Sequence, residues 1–241
     1  MILKGGILII GSLFWQDDQD SKPYQRRNWR NKQLQLKDRL HVFAPIRYGR
    51  LSKQKENETF TMVLSKGTEE RNELGTAFVV PFKNSSIRSL KGIQNQARSL
   101  SEAEGLRDKK IVKGKKKWSV IGILFNPEIE ITLKIEILNY WSRLIQKDGG
   151  FDPKEYCIYP ESPVISADGE ILISWLKTVN CKNQNILDEF DFVLATCPKP
   201  TKYPSIEELQ ENIKDDKREY FYNNLSNGIT TYIDNSVIYK E

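Results

Sequence analysis

Gly6–Trp15 reads GILIIGSLFW, and this stretch decides how the rest of the chain is read. Ile7 to Ile10 form an uninterrupted apolar run of buried-strand type, and Gly11-Ser12 stops it. A Gly-Ser turn at a strand end exposes successive backbone N–H groups, which can cradle a carboxylate, a phosphate or an oxyanion. Gly-Ser also ends many strands for steric reasons alone. Neither GxGxxG nor a Walker lysine accompanies it, so nucleotide binding on these residues is not indicated.

Outward from that strand, PYQRRNWRNKQL (23–34) is a short helix candidate with Pro23 near its start. Residues 40–50 read as one strand, with Pro45 implying an edge position or a bulge. TFTMVLS (59–65) and GTAFVVPF (75–82) give two further strands, and WSVIGILF (118–125) another. Past Pro127 the spacing predicts a helix through EILNYWSRLIQK (136–147), ended by Asp148-Gly149-Gly150. A hairpin turning at Asp168-Gly169, a strand DFVLAT, a helix opened by Pro204-Ser205 and a final pair, GITTYID and SVIYK, follow. The expected class is α+β, a mixed or antiparallel sheet or small barrel with packed helices. The expected division is a core over 1–127 and a C-terminal elaboration over 128–241 packed on it.

Residues 86–107 change period. Ile87, Leu90, Ile93, Ala97 and Leu100 fall at helical spacing, and Lys91, Asn95, Arg98 and Glu102 define the wet face. Continuing the apolar series from 93, 97 and 100 leads to Glu104. A carboxylate on a buried stripe needs a partner or a proton, and such groups can shuttle protons. The competing expectation is that the helix frays near Gly105 and Glu104 reaches water.

Composition works by exclusion. The 241 residues contain one histidine, His41, which rules out a multi-histidine zinc site and any HExxH arrangement. His41 lies in HVFAPI and reads as a strand residue. Cys157, Cys181 and Cys197 are odd in number and widely spaced, which reads as reduced thiols in a cytoplasmic protein. No stretch reaches the length of a membrane span, and the N-terminal apolar run lacks the features of a signal peptide.

The net charge of +5 conceals an asymmetry. Residues 1–120 hold 25 Lys and Arg against 12 Asp and Glu, and residues 121–241 hold 12 against 20. Such a split points to an anionic partner for the basic half, or to halves that attract each other. Arg26, Arg27, Arg30, Arg39, Arg47 and Arg50 crowd a 25-residue stretch, interleaved with Tyr24, Trp29 and Tyr48. Arg47 and Tyr48 point to opposite faces of their strand, so Arg47 either binds a substrate carboxylate or pairs with an acidic residue of the C-terminal half. Basic residues among aromatics also fit single-stranded nucleic acid, with the lysine run 109–117 adding charge.

The strand followed by GSLFW, the arginine-bearing connection, the strand opening GTAF (75–78) and the helix ending LSEAE (100–104) together resemble the γ-glutamyl cyclotransferase superfamily. The ChaC-like glutathione-degrading branch, whose opening reads YGSLIW, is the nearest in pattern. The resemblance covers about residues 6–126. It implies that Gly11, Ser12 and Leu13 hold a γ-glutamyl group through backbone amides. Glu104 would act as general acid/base, helping the substrate's α-amine attack its own γ-carbonyl and release 5-oxoproline. Independently of the resemblance, guanidinium chemistry makes Arg47 and Arg50 candidate holders of a substrate carboxylate, and intramolecular aminolysis of this kind requires no metal and no cofactor. Ile10 stands where relatives carry tyrosine, and Ala103 where they carry arginine. The pattern also resembles an uncharacterised bacterial family with a PIRYGR-type strand (45–50), which implies no activity. The alternative function is a non-catalytic binding subunit that offers Arg26, Trp29, Arg30 and Tyr48 to nucleic acid or to an acidic protein.

Overall fold

A computed structural model describes residues 2–18, 24–54, 57–84, 86–105, 110–112, 118–214, 218–234 and 236. The class is α+β. In chain order the elements are β1 (Gly5–Ile9), α1 (Gln25–Gln33), β2 (Leu40–Ala44), β3 (Ile46–Gln54), β4 (Asn57–Leu64), α2 (Lys66–Glu70), β5 (Gly75–Pro81), α3 (Leu90–Ala103), β6 (Ser119–Phe125), α4 (Ile131–Lys147), β7 (Lys177–Thr178), α5 (Gln184–Asp188), β8 (Phe192–Pro198), α6 (Ile206–Lys214) and α7 (Arg218–Ser226). Six strands form one mixed sheet in the order β6-β8-β1-β5-β2-β7, and β3 pairs with β4 in a separate ribbon.

The GILII run is the structural spine. All five residues of β1 are buried, and β1 lies inside the sheet, antiparallel to β5 and parallel to β8. A strand covered on both faces has no use for polar alternation, which is why it reads as a continuous apolar run. β6 is likewise buried throughout and runs antiparallel to β8. Because β8 stands between β6 and β1, the sheet takes strands from both sides of Pro127, and a single hydrophobic cluster includes residues of both.

The strand expected over 40–50 is two strands. Proline has no N–H to donate to a ladder, and at Pro45 the chain leaves the main sheet, with only the Pro45 carbonyl engaged, by Ser65 N–H at 2.9 Å. β2 continues the six-stranded sheet beside β5, and β3 turns into the ribbon with β4. That division lets β3 face α7 instead of the main sheet's core: Tyr48 packs on Phe221, with ring centroids 5.0 Å apart.

The helix expected over 86–107 is α3, and its ends are chemically marked. Ser89 caps its start by accepting from Gly92 N–H at 3.1 Å. Its end has Glu104 as the last capping residue, followed by Gly105 at φ 74°, the left-handed turn that glycine adopts most readily. Ile93, Ala97 and Leu100 are buried as the spacing predicts.

Other expectations divide. The Asp168-Gly169 turn is present, with Gly169 at φ 84°, but its hairpin amounts to one bridge, Ile165 to Ile171. The helix after Ser205 is described as α6 and α7, with 215–217 outside the described residues. GITTYID is not a strand. Only Thr230 bridges, to Thr76, before a helical turn at Asp234. Of SVIYK only Ser236 is described, and most of the lysine run 109–117 lies outside the described residues. No described helix is long and apolar enough to cross a membrane.

Candidate functional site

The turn after β1 is wound by its own backbone. Phe14 N–H donates to Gly11 O at 3.0 Å, Trp15 N–H to Ser12 O at 3.2 Å and Gln16 N–H to Ser12 O at 2.7 Å. Among the described residues, the Ser12 and Leu13 amides have no acceptor. Amides left unpaired on a turn are the kind of donor that an anion can accept from. The hold comes from Arg30 on α1, which donates to Leu13 O at 2.8 Å, Gln16 O at 2.7 Å and Asp17 Oδ1 at 2.5 Å. Burial pulls the Arg30 pKa down, and Asp17 opposes that pull.

Glu104 does not fray into water. Its side chain is 15% exposed and pairs with Arg26 Nη2 at 3.7 Å. Arg26 is itself 12% exposed and reaches three other groups. Its Nε–H donates to Ala103 O at 3.2 Å, and its Nη1 donates to Ser12 Oγ at 3.3 Å and to Gln16 Oε1. A cation at Ala103 O suits the carbonyl-rich end of α3. One guanidinium therefore ties the end of α3 to the turn after β1.

Two further groups converge there. Tyr220 of α7 places its hydroxyl 3.0 Å from the point where a side-chain carbon on Gly11 would sit, so any larger residue there would crowd the phenol. The Tyr220 hydroxyl accepts from Met62 N–H at 3.3 Å, and burial pushes its pKa up to about 12. Nearby, Asn224 Oδ1 accepts from Trp15 Nε1 at 2.8 Å. Arg50 lies over the ring of Trp118, 4.4 Å from its centroid. Burial lowers the Arg50 pKa against the opposing pull of Glu104 and Tyr220, so these three groups share one electrostatic environment.

Arg47 belongs elsewhere, which corrects its assignment to the substrate. It projects from the other face of β3, stacks 3.8 Å from the Tyr203 ring centroid and pairs with Glu161 Oε1 at 3.3 Å. Glu161 Oε2 also accepts from Ser65 Oγ and Tyr203 Oη, each at 2.8 Å. The acidic C-terminal half supplies this carboxylate.

The proposed arginine face for nucleic acid does not form. Arg30 and Trp29 are buried, and Trp29 Nε1 donates to Ser99 Oγ at 2.8 Å, fastening α1 to α3. Tyr48 is buried against Phe221, and Arg26 is committed to Glu104 and Ser12. None of these rings is open to a base. His41 is structural: its Nε2 meets Gly228 O at 2.8 Å and its ring stacks on Phe78. The described residues hold no group of three or more His, Cys, Asp or Glu arranged for a metal ion.

Sequence reading missed Tyr220 and Trp118 as members of the site. The signal for Tyr220 was the run Tyr220-Phe221-Tyr222, since successive side chains on a helix with one buried face point in different directions and so take different roles. No protein-family model, no curated protein and no solved structure matches this chain.

Proposed function

We propose that the chain cleaves a γ-glutamyl amide by cyclisation, releasing 5-oxoproline and the amine. The supporting observation is that Arg26 contacts both the Glu104 carboxylate at 3.7 Å and the Ser12 hydroxyl at 3.3 Å, which brings a proton carrier to the turn with unpaired amides. In this reading Glu104 takes a proton from the substrate's α-ammonium group. The freed amine attacks the γ-carbonyl carbon, and the Ser12 and Leu13 N–H groups stabilise the oxyanion. The C–N bond of the amide then breaks as Glu104 returns the proton to the leaving nitrogen, and the second proton of the ring nitrogen passes through the freed Glu104 carboxylate to the released amine, which leaves as an ammonium. Arg50, a cation held over the ring of Trp118, receives the substrate's α-carboxylate. Intramolecular aminolysis needs little more than proximity and one proton shuttle.

The ligand is thus a small anionic γ-glutamyl compound. Three free cysteines support a reducing, cytoplasmic setting. The test is incubation with γ-glutamyl dipeptides and glutathione, with 5-oxoproline measured by mass spectrometry. Release by the wild type and its loss in Glu104→Gln is the expected result. No release from any of them, or equal release by Glu104→Gln, overturns the reading.

A further inference from the structure

α7 lays two side chains on the turn after β1. Tyr220 and Asn224 stand one helical turn apart and so share a face, and Trp15 of the turn meets both. Trp15 Nε1 donates to Asn224 Oδ1 at 2.8 Å, and its ring centroid lies 6.3 Å from that of Tyr220. The Tyr220 hydroxyl reaches Gly11 itself, 3.0 Å from where a side-chain carbon would sit. Gly11 adjoins Ser12, and Arg26 joins Ser12 Oγ to Glu104 by contacts of 3.3 and 3.7 Å. The phenol therefore touches the central turn of the candidate site.

Around this hydroxyl, donors outnumber acceptors. The Tyr220 oxygen accepts from Met62 N–H at 3.3 Å, and among the described residues its own O–H has no acceptor. Asn224 is fully buried with its Oδ1 on Trp15, and its Nδ2, another donor, has no partner. The Ser12 and Leu13 amides are unpaired as well. The bond from Met62 N–H explains why an oxygen is needed at position 220, but it uses a lone pair and leaves the hydrogen free. A phenol O–H and two amides without acceptors at one turn point to an acceptor supplied from outside the chain.

We propose that Tyr220 is a ligand-binding residue of the candidate site, its O–H donating to the anionic oxygen that the Ser12 and Leu13 amides hold. Its role in turnover rests on the cyclotransferase reading, in which that oxygen is the oxyanion formed at the γ-carbonyl and the phenol is a third donor to it. Its role as a donor to a bound anion does not. Burial pushes the Tyr220 pKa up to about 12, so the phenol keeps its proton and acts only by donating.

The test uses the full chain with tyrosine labelled with carbon-13 at the ring carbon that bears the hydroxyl, and acetate and 5-oxoproline as probes. The Tyr220 resonance is assigned by its loss in Tyr220→Phe. Either probe should move that resonance downfield to saturation, whereas potassium chloride at the same ionic strength should leave it in place. By calorimetry, Tyr220→Phe should weaken binding of the probe about tenfold or more, the effect of losing a hydrogen bond to a charged group. Gly11→Ala, whose methyl would sit 3.0 Å from the hydroxyl, should blunt the shift. A Tyr220 resonance that neither anion moves, or a Kd unchanged in Tyr220→Phe, overturns the proposal. If Tyr220→Phe does not fold, the resonance is assigned by its displacement in Gly11→Ala, and the wild-type titration decides alone. A shift with acetate and none with 5-oxoproline upholds the phenol as an anion donor and counts against the cyclotransferase reading, so the two fail separately.

Discussion

Arg26→Met is the most informative single change, because methionine keeps the aliphatic stem and deletes the fork. Four contacts go with it: Ala103 O at 3.2 Å, Ser12 Oγ at 3.3 Å, Gln16 Oε1, and the 3.7 Å pair with Glu104. The first two are long hydrogen bonds, worth about 0.5–1 kcal/mol each. The pair with Glu104 is mostly shielded but not fully buried, so its loss costs about 1 kcal/mol, well below the cost for a dry interior pair. The expected loss is about 2–3 kcal/mol. For a chain of this size, about 2–4 °C of melting temperature accompanies each kcal/mol, so the midpoint should fall by roughly 5–10 °C. A double-mutant cycle with Glu104→Gln should give a coupling of about 1 kcal/mol. If 5-oxoproline release is present, displacing Glu104 from the turn should slow it about 100-fold. A melting midpoint within about 1 °C of wild type, or strictly additive stabilities in the cycle, refutes the claim that this guanidinium joins α3 to the turn.

Four other outcomes follow from the structure. Arg50→Met should raise KM for a γ-glutamyl substrate, whereas Arg47→Met should leave KM unchanged, because Arg47 is engaged by Glu161. Glu161→Ala strips a largely buried guanidinium of its partner, and chemical denaturation should show a loss of about 3 kcal/mol. Burial pushes the Cys197 thiol up to about 12, above its ordinary 9.0, so the folded state disfavours its thiolate. Stability from this group is complete below the unfolded pKa and is lost as pH rises from 9.0 towards 12. Cys197→Ser, which removes that thiol, should therefore flatten the alkaline fall in a series of urea melts. With a thiol reagent at about pH 8 the exposed Cys181 should react at once and Cys197 only on unfolding.

Much of the frame was legible because it depends on short-range rules. The apolar run at β1, the 3.6-residue period of α3 and the glycine just past its end are local patterns, and each appears where its spacing put it. Pro45 was legible as a disturbance, but whether it bulges a strand or sends its two halves to different sheets depends on where β4 lies, and spacing carries no such information. The final segment looked like a strand because Ile229, Thr230 and Thr231 favour that conformation, yet the Asp234 carboxylate takes the Thr231 N–H and closes a turn. In the site, Glu104 and the Gly-Ser turn were readable from residue type and phase. Arg26 was visible only as a charge. Its role follows from α1 packing against α3, a tertiary fact.

The crowding of arginine in the first half therefore has a different meaning from a basic surface. A guanidinium that is mostly shielded must satisfy several donors at once, and backbone carbonyls at turns and helix ends are where such acceptors gather. Arg30 and Arg26 take that course, one under the turn after β1 and one at the end of α3. Arg47 instead crosses to Glu161, and Lys4 to Glu189, so part of the opposite charge of the two halves goes into holding them together. The same logic bears on the two departures from the cyclotransferase pattern. Ile10 removes a phenol and Ala103 a guanidinium from the local sequence. The fold nevertheless brings a phenol to Gly11 from α7 and a guanidinium to Glu104 from α1. If those long-range groups substitute for the local ones, Tyr220→Phe and Arg26→Met should each impair 5-oxoproline release. Restoring the pattern locally, with Ile10→Tyr in the Tyr220→Phe background, should recover part of it.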